Sequence, residues 1–299
     1  MLLFTIVYNN EREDLIYKLV ELKEYFQSRN VVVGLSENIE DKTHFIKIYC
    51  EEKFLDKKVI DLISNELVNI LYDVTIDRFI KKELNKFIED AYFFIKKDER
   101  KELLEKISDV LKDKDKRYIE DSIYCLNKKN EIIKKIKKCV DENNEINIDG
   151  FLTFRCRELF KDIKGIVDKI VEKYMVDKEY NEFIKLLKYF VEIEESKLDK
   201  LNILIDSTGK YTLKDSEGND LTEEVYIEIS DVKYVENISI DDMLISWLIT
   251  NVPKEINIYN IENCTNKELI NTIKNVFEER VNIYNSDKSV KLKHNYNKF

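Results

Sequence analysis

The chain has 299 residues, 43% hydrophobic and 37% charged, with a formal net charge of −10. The apolar share is too large for disorder, and the charges are too widely scattered for a membrane protein. That sign also excludes a nucleic-acid footprint over the whole surface, although residues 81–140 carry 18 basic against 13 acidic side chains while both flanks are acidic.

Leu2 to Tyr8 is a continuous apolar run that reads as a buried strand; it has no basic region before it and no small-residue cleavage site, so it does not read as a signal peptide. Leu15, Leu19, Leu22 and Phe26 follow at helical spacing. "VVVGL" and "THFIKIYC" then predict two strands, the second with Ile46, Ile48 and Cys50 alternating on one face. The N-terminal piece is therefore βαββ. From Leu55 the period lengthens, and Val59, Ile63, Leu67, Ile70, Leu71 and Val74 form a helical stripe able to cover that small sheet. Helices are expected to about residue 193, including an exposed one ending in a charged turn near Asp113–Lys116. The basic helix "IYCLNKKNEIIKKIKKCV" places Ile132, Ile133, Ile136 and Val140 on one side and Lys134, Lys135, Lys137 and Lys138 among the rest. Such a face suits phosphate or an anionic surface. However, the chain has 42 lysines, one proline and one alanine, Ala91, as an AT-rich genome would produce, so lysine runs carry little weight.

The segment "NIDGFLTFRCRELF" holds Arg155 and Arg157, two of only eight arginines. Asp149 is the expected N-cap of a helix running to about Tyr174, with Leu152, Cys156, Leu159, Ile163, Ile166, Ile170 and Tyr174 in one core seam. Cys156 then belongs to packing. A second helix, capped by Asp177, places Tyr180, Phe183, Ile184, Leu187, Phe190 and Val191 on an apolar face. A short connection would fold it back, offering Glu192, Glu194 and Glu195 to a partly buried Arg155 or to Arg157. The planar five-donor fork of guanidinium, which lysine cannot imitate, makes both arginines candidate contacts for an anion or a partner. Beyond Leu201, "LNILID" and "KYTLKD" flank "STG" as a β-hairpin with Gly209 at the turn. "STGKYT" is not a phosphate loop, because the first glycine of that motif would fall on Leu204. Helix, strand, helix opened by Thr265 or Asn266, and strand then predict a parallel βαβ crossover; "NIYN" occurs at both 257–260 and 282–285. The tail from Ser286 is polar.

Together these elements predict an α+β fold: a largely helical middle between a small N-terminal βαββ unit and a C-terminal hairpin plus βαβ unit, divided as residues 1–145 and 146–299. Cys50, Cys125, Cys139, Cys156 and Cys264 contain no CxxC pair, and His44 and His294 are the sole imidazoles, so no metal or cofactor is expected. Reduced thiols point to the cytoplasm, and no run approaches the ~20 apolar residues of a membrane span.

The G-F-x-x-F-R opening at Gly150, the K-E-Y-x-E-F step at Lys178 and the L-L-K-Y-F-V run at Leu186 resemble the YtxC-like family, sporulation-associated proteins of endospore-forming Firmicutes. The resemblance implies a cytoplasmic protein of sporulation and supplies no active site. A noncatalytic interaction or regulatory protein with a protein partner is therefore the first expectation. A nucleic-acid-associated protein using the basic helix near residues 128–138 is the alternative. An enzyme holding an anionic substrate through Arg155 and Arg157 would have only carboxylates, lysines and tyrosines for most proton transfers.

Overall fold

A computed structural model describes residues 1–9, 12–54, 56–112, 123–225 and 240–285. The expected charged turn at Asp113–Lys116 and the tail from Ser286 lie outside the described residues. The chain forms two compact units, Met1–Met175 and Val176–Phe299. The fold is α+β, with helices in the middle of the chain and a small mixed sheet in each unit.

In the first unit, β1 (Leu2–Asn9), α1 (Glu13–Ser28), β2 (Val33–Glu40) and β3 (Thr43–Cys50) form the expected βαββ element. The strand order is β2-β3-β1-β4, with antiparallel pairing of β3 to both β1 and β2. The edge strand β4 (Glu145–Asn147), invisible to pattern reading at three residues, runs parallel to β1 with Ile146 opposite Ile6. Phe4 to Tyr8 are buried in succession, so both faces of β1 are covered, and Leu15, Leu19, Leu22 and Phe26 of α1 are buried as well. Asp56 caps α2 (Lys57–Phe79), accepting from the Val59 backbone at 2.7 Å. A π-helical turn, Ile80–Leu84, leads into α3 (Asn85–Ala91); α4 (Lys97–Leu111) and α5 (Ile123–Asp141) follow. α5 packs on α2 and buries Ile132, Ile136 and Val140.

After β4 the helical cap is Asn147, not Asp149. The Asn147 side chain accepts from Gly150 N at 2.9 Å, while Asp149 turns to Asn9 and accepts from its backbone N–H at 2.8 Å, tying this turn to the end of β1. A second π-helical turn, Phe151–Arg155, then opens α6, which runs unbroken from Cys156 to Ile193. The expected pair of helices is thus one element of 38 residues. With no turn at Asp177, the partners that Glu192, Glu194 and Glu195 would have supplied to the arginines do not arise. The seam from Leu152 to Tyr174 is buried at every position named above. That part of α6 belongs to the first core, which is why the compact units divide at Met175 rather than between residues 145 and 146.

In the second unit, β5 (Lys200–Ile205) and β6 (Tyr211–Lys214) form the expected hairpin. The Asp206 carboxylate accepts from the backbones of Thr208 and Lys210, and Gly209 adopts φ +85° at the turn. α7 (Ile240–Asn251), β7 (Glu255–Tyr259), α8 (Lys267–Phe277) and β8 (Val281–Tyr284) complete the unit. The strands are ordered β6-β5-β7-β8, with β5, β7 and β8 mutually parallel. Asn266 caps α8, accepting from Glu268 and Leu269. Ile184, Leu187 and Val191, from the last part of α6, belong to this core.

Candidate anion-binding site

Arg155 and Arg157 stand two residues apart at the start of α6, about 200° around the axis, and so face different surfaces. Cys156 between them takes the buried place. Both arginines are exposed, and neither makes a hydrogen bond or ion pair among the described residues. The expected partial burial of Arg155 therefore does not occur: Leu152, Cys156 and Leu159 fill the seam and leave it on the rim.

Arg155 lines a cavity of about 230 Å³ with Lys135, Lys138, Cys139, Glu142, Phe151 and Glu158. Its other cations are already matched. Lys135 pairs with Glu158 at 3.0 Å and Asp162 at 2.8 Å, and Lys138 with Glu142 at 3.8 Å. Burial pushes the Cys139 thiol up, with the Arg155 charge opposing it.

Arg157 opens onto a larger cleft of about 770 Å³. One wall is Arg78, Glu83 and Phe87, from α2, the first π turn and α3; the other is the face of α6 carrying Arg157, Phe160, Lys161, Lys164 and Asp168, with Leu152 and Thr153 of the second π turn. Both π turns of the first unit thus border one cleft, a backbone irregularity that often accompanies functional sites. Arg78 is half-buried and, like Arg157, makes no hydrogen bond or ion pair among the described residues. Lys164 lies over the Phe87 ring, 5.0 Å from its centroid. The carboxylates are Glu83 and Asp168, and Asp168 accepts from the Tyr92 hydroxyl at 2.6 Å. Burial, then that hydrogen bond, raises the Tyr92 pKa, so Tyr92 stays a donor. Gly165, also in the lining, lets the Tyr124 hydroxyl approach closely; a Cβ there would meet it at 2.8 Å. The cleft therefore presents four cations, two of them unmatched guanidinium forks, against two carboxylates, beside aromatic rings. This arrangement suits a carboxylate or phosphate group. Sequence reading found Arg157 but missed Arg78, Lys161 and Lys164, although scarcity of arginine marks Arg78 equally.

The basic helix looks different once folded. Lys135 is held as above, Lys137 donates to Asn65 at 2.6 Å, Lys138 pairs with Glu142, and Lys128 reaches Glu131 and Asp162. Only Lys134 of the four candidate contacts makes no such bond among the described residues. Asp162 is nine-tenths buried between Lys128 and Lys135. Burial works to raise its pKa, and the hydrogen bonds from Lys135 and Lys128 outweigh it and hold the carboxyl below its ordinary value.

Cys156 is fully buried, with its thiol against the Thr75 hydroxyl at 3.8 Å, and burial pushes its pKa up to about 11. It is a packing residue. Among the described residues no cluster of three or more His, Cys, Asp or Glu is placed to hold a metal ion, and no helix is long and apolar enough to cross a membrane.

The model of the YtxC-like family matches residues 65–282, which takes in the whole cleft. The chain belongs to the YtxC-like family. It is similar to an uncharacterised protein, YtxC, of Bacillus subtilis strain 168, with 26% identity over 196 residues, covering 65% of this chain and 67% of that protein. No solved structure matches the chain. The match begins within α2 and ends within β8, so the segment matched in this YtxC-like chain includes the residues that line the cleft and most of the second unit.

Proposed function

We propose that this YtxC-like protein is a noncatalytic, cytoplasmic interaction factor of sporulation that grips an anionic group of its protein partner in the Arg78–Arg157 cleft. The observation that carries the reading is the convergence of two guanidinium groups, neither engaged in an internal ion pair among the described residues, on one cleft of about 770 Å³. Guanidinium left unmatched on the walls of one cleft, half-buried at Arg78 and exposed at Arg157, is well placed to receive an external carboxylate or phosphate, which would gain charge-assisted, two-pronged hydrogen bonds. The sporulation part rests on the family resemblance. Arg155, on the opposite flank, is a secondary contact.

Affinity isolation from sporulating cells tests the reading, comparing the unaltered protein with an Arg78→Gln, Arg157→Gln double variant. Proteins captured by the first and lost from the second are expected. Identical captured sets would remove the cleft from the interface. The alternative, nucleic acid on the basic helix, is supported less well, because Lys135, Lys137 and Lys138 are engaged internally. A fragment of DNA or RNA bound at low salt, and released by Lys134→Gln, would favour it.

A further inference from the structure

The last turns of α6, which lie in the second unit, carry a surface that the cleft does not use. Ile184, Leu187 and Val191 face the core, whereas Val176, Phe183, Leu186, Phe190 and Ile193 are exposed, Val176 by 60% and Ile193 by 56%. With the exposed Glu179 these residues recur at intervals of three, four, three, four and three, the spacing of a coiled-coil seam. The seam lies on the solvent side of a helix whose other face is already packed. Its intervals read the same in both directions, so a second copy laid antiparallel meets it layer by layer: Val176 with Ile193, Glu179 with Phe190, and Phe183 with Leu186.

We propose that this face of α6 pairs with the same face of a second copy, forming an antiparallel two-fold dimer. Area supports the choice. At side-chain areas of 150–250 Å² for aromatics and somewhat less for aliphatics, the exposed fractions of these five residues and Tyr189 sum to about 600 Å² of apolar surface per copy. Two copies would bury about 1,200 Å², the lower bound of specific interfaces and above ordinary lattice contacts. The rim is compatible: Glu182 and Tyr189 share one flank, and the two-fold brings the Tyr189 hydroxyl of one copy beside Glu182 of the other. A self-complementary patch of this kind closes on itself and does not propagate. Glu179 is the one polar residue in the seam and limits the affinity, as a single polar layer does in coiled coils.

Sedimentation velocity of the full chain from about 1 to about 200 μM tests this, since an interface of this size gives dissociation constants on the order of micromolar. Dimers are expected at the upper end. Leu186→Glu should weaken association by more than about 10-fold, and Glu179→Leu should tighten it by about 10-fold, both with unchanged circular dichroism. A short bismaleimide should join Leu186→Cys copies above the background of the unaltered protein. It should not join Val176→Cys copies, which lie about 25 Å apart along the antiparallel axis at 1.5 Å per residue. A chain that stays monomeric throughout, Glu179→Leu included, or one whose Val176→Cys copies are joined instead, overturns the proposal; the monomeric result would leave the face to a different protein.

Discussion

The lysines of α5 and the arginines at positions 78 and 157 are alike in charge and opposite in circumstance. In the sequence the α5 lysines are the conspicuous feature, yet Lys128 and Lys135 fold onto the buried Asp162, Lys137 onto Asn65 and Lys138 onto Glu142. The arginines are sparse and far apart in the chain, and they converge on one cleft without a carboxylate bound to either among the described residues. Linear charge density therefore measures supply. What a surface offers to a ligand is the charge left after the fold has matched what it can, and Arg78 and Arg157 bring part of that remainder together on one cleft.

The contrast can be broken at its deepest point. Asp162→Ala removes the carboxylate that neutralises Lys128 and Lys135, and denaturant unfolding should show a loss of about 1.5–3 kcal/mol, the usual worth of hydrogen bonds to a charged group. Because the Asp162 pKa is lowered in the fold, the pair's contribution is present above the unfolded carboxyl value of about 4 and fades as pH falls through the folded one. Stability of an Asp162→Asn variant should accordingly fall less steeply below about pH 4 than that of the unaltered protein. Next in size is Cys156→Ala, expected to cost about 1 kcal/mol as a small buried cavity. The thiol should resist alkylation until unfolding, because so little thiolate exists at neutral pH; rapid native-state labelling would contradict its assignment to packing. Lys135→Gln should lower stability by about 1 kcal/mol and Lys134→Gln by less than about 0.5, which would separate the lysine held by Asp162 from one with no such bond among the described residues. Smallest of all, Arg155→Lys and Arg157→Lys should each change stability by less than about 0.5 kcal/mol. A larger loss at Arg157 would mean that its fork is already used inside the fold.

Patterns of two and of three to four residues made most of the architecture readable. Alternation in "THFIKIYC", the apolar run at Leu2 and the STG turn located β3, β1 and the β5–β6 hairpin, while helix, strand, helix and strand after residue 238 announced the parallel ladder. β4 was not readable, because three residues have no period and are held by their place beside β1. The long helix was misread for a different reason. Its buried face turns by about 70° between the Leu152–Tyr174 seam and the set Ile184, Leu187 and Val191, at 100° per residue. A change of packing partner along one helix looks, in sequence, like a new helix. Arg157 was readable as a rare residue type, but the cleft was not, since Arg78 joins it only through the packing of α2 against the rest of the first unit.

The repeated "NIYN" has a consequence for how the second sheet closes. Asn257 and Asn282 stand in register on the parallel strands β7 and β8, and Asn202 stands beside Asn257 on β5; the amides of Asn257 and Asn202 meet at 3.4 Å within the sheet, while Tyr259 and Tyr284 stack at 4.9 Å. A slip of two residues would preserve which side chains face the core, so hydrophobic patterning alone does not forbid it. It would set Asn257 opposite Leu204 or Lys200 and break its contact with Asn202, leaving it only the bond within its own strand to Glu255 at 3.0 Å, a loss of about 0.5–1.5 kcal/mol. The Asn202–Asn257 pair thus acts as an alignment mark between β5 and β7, whose core residues Leu201, Ile203, Ile256 and Ile258 are similar enough to accept either register.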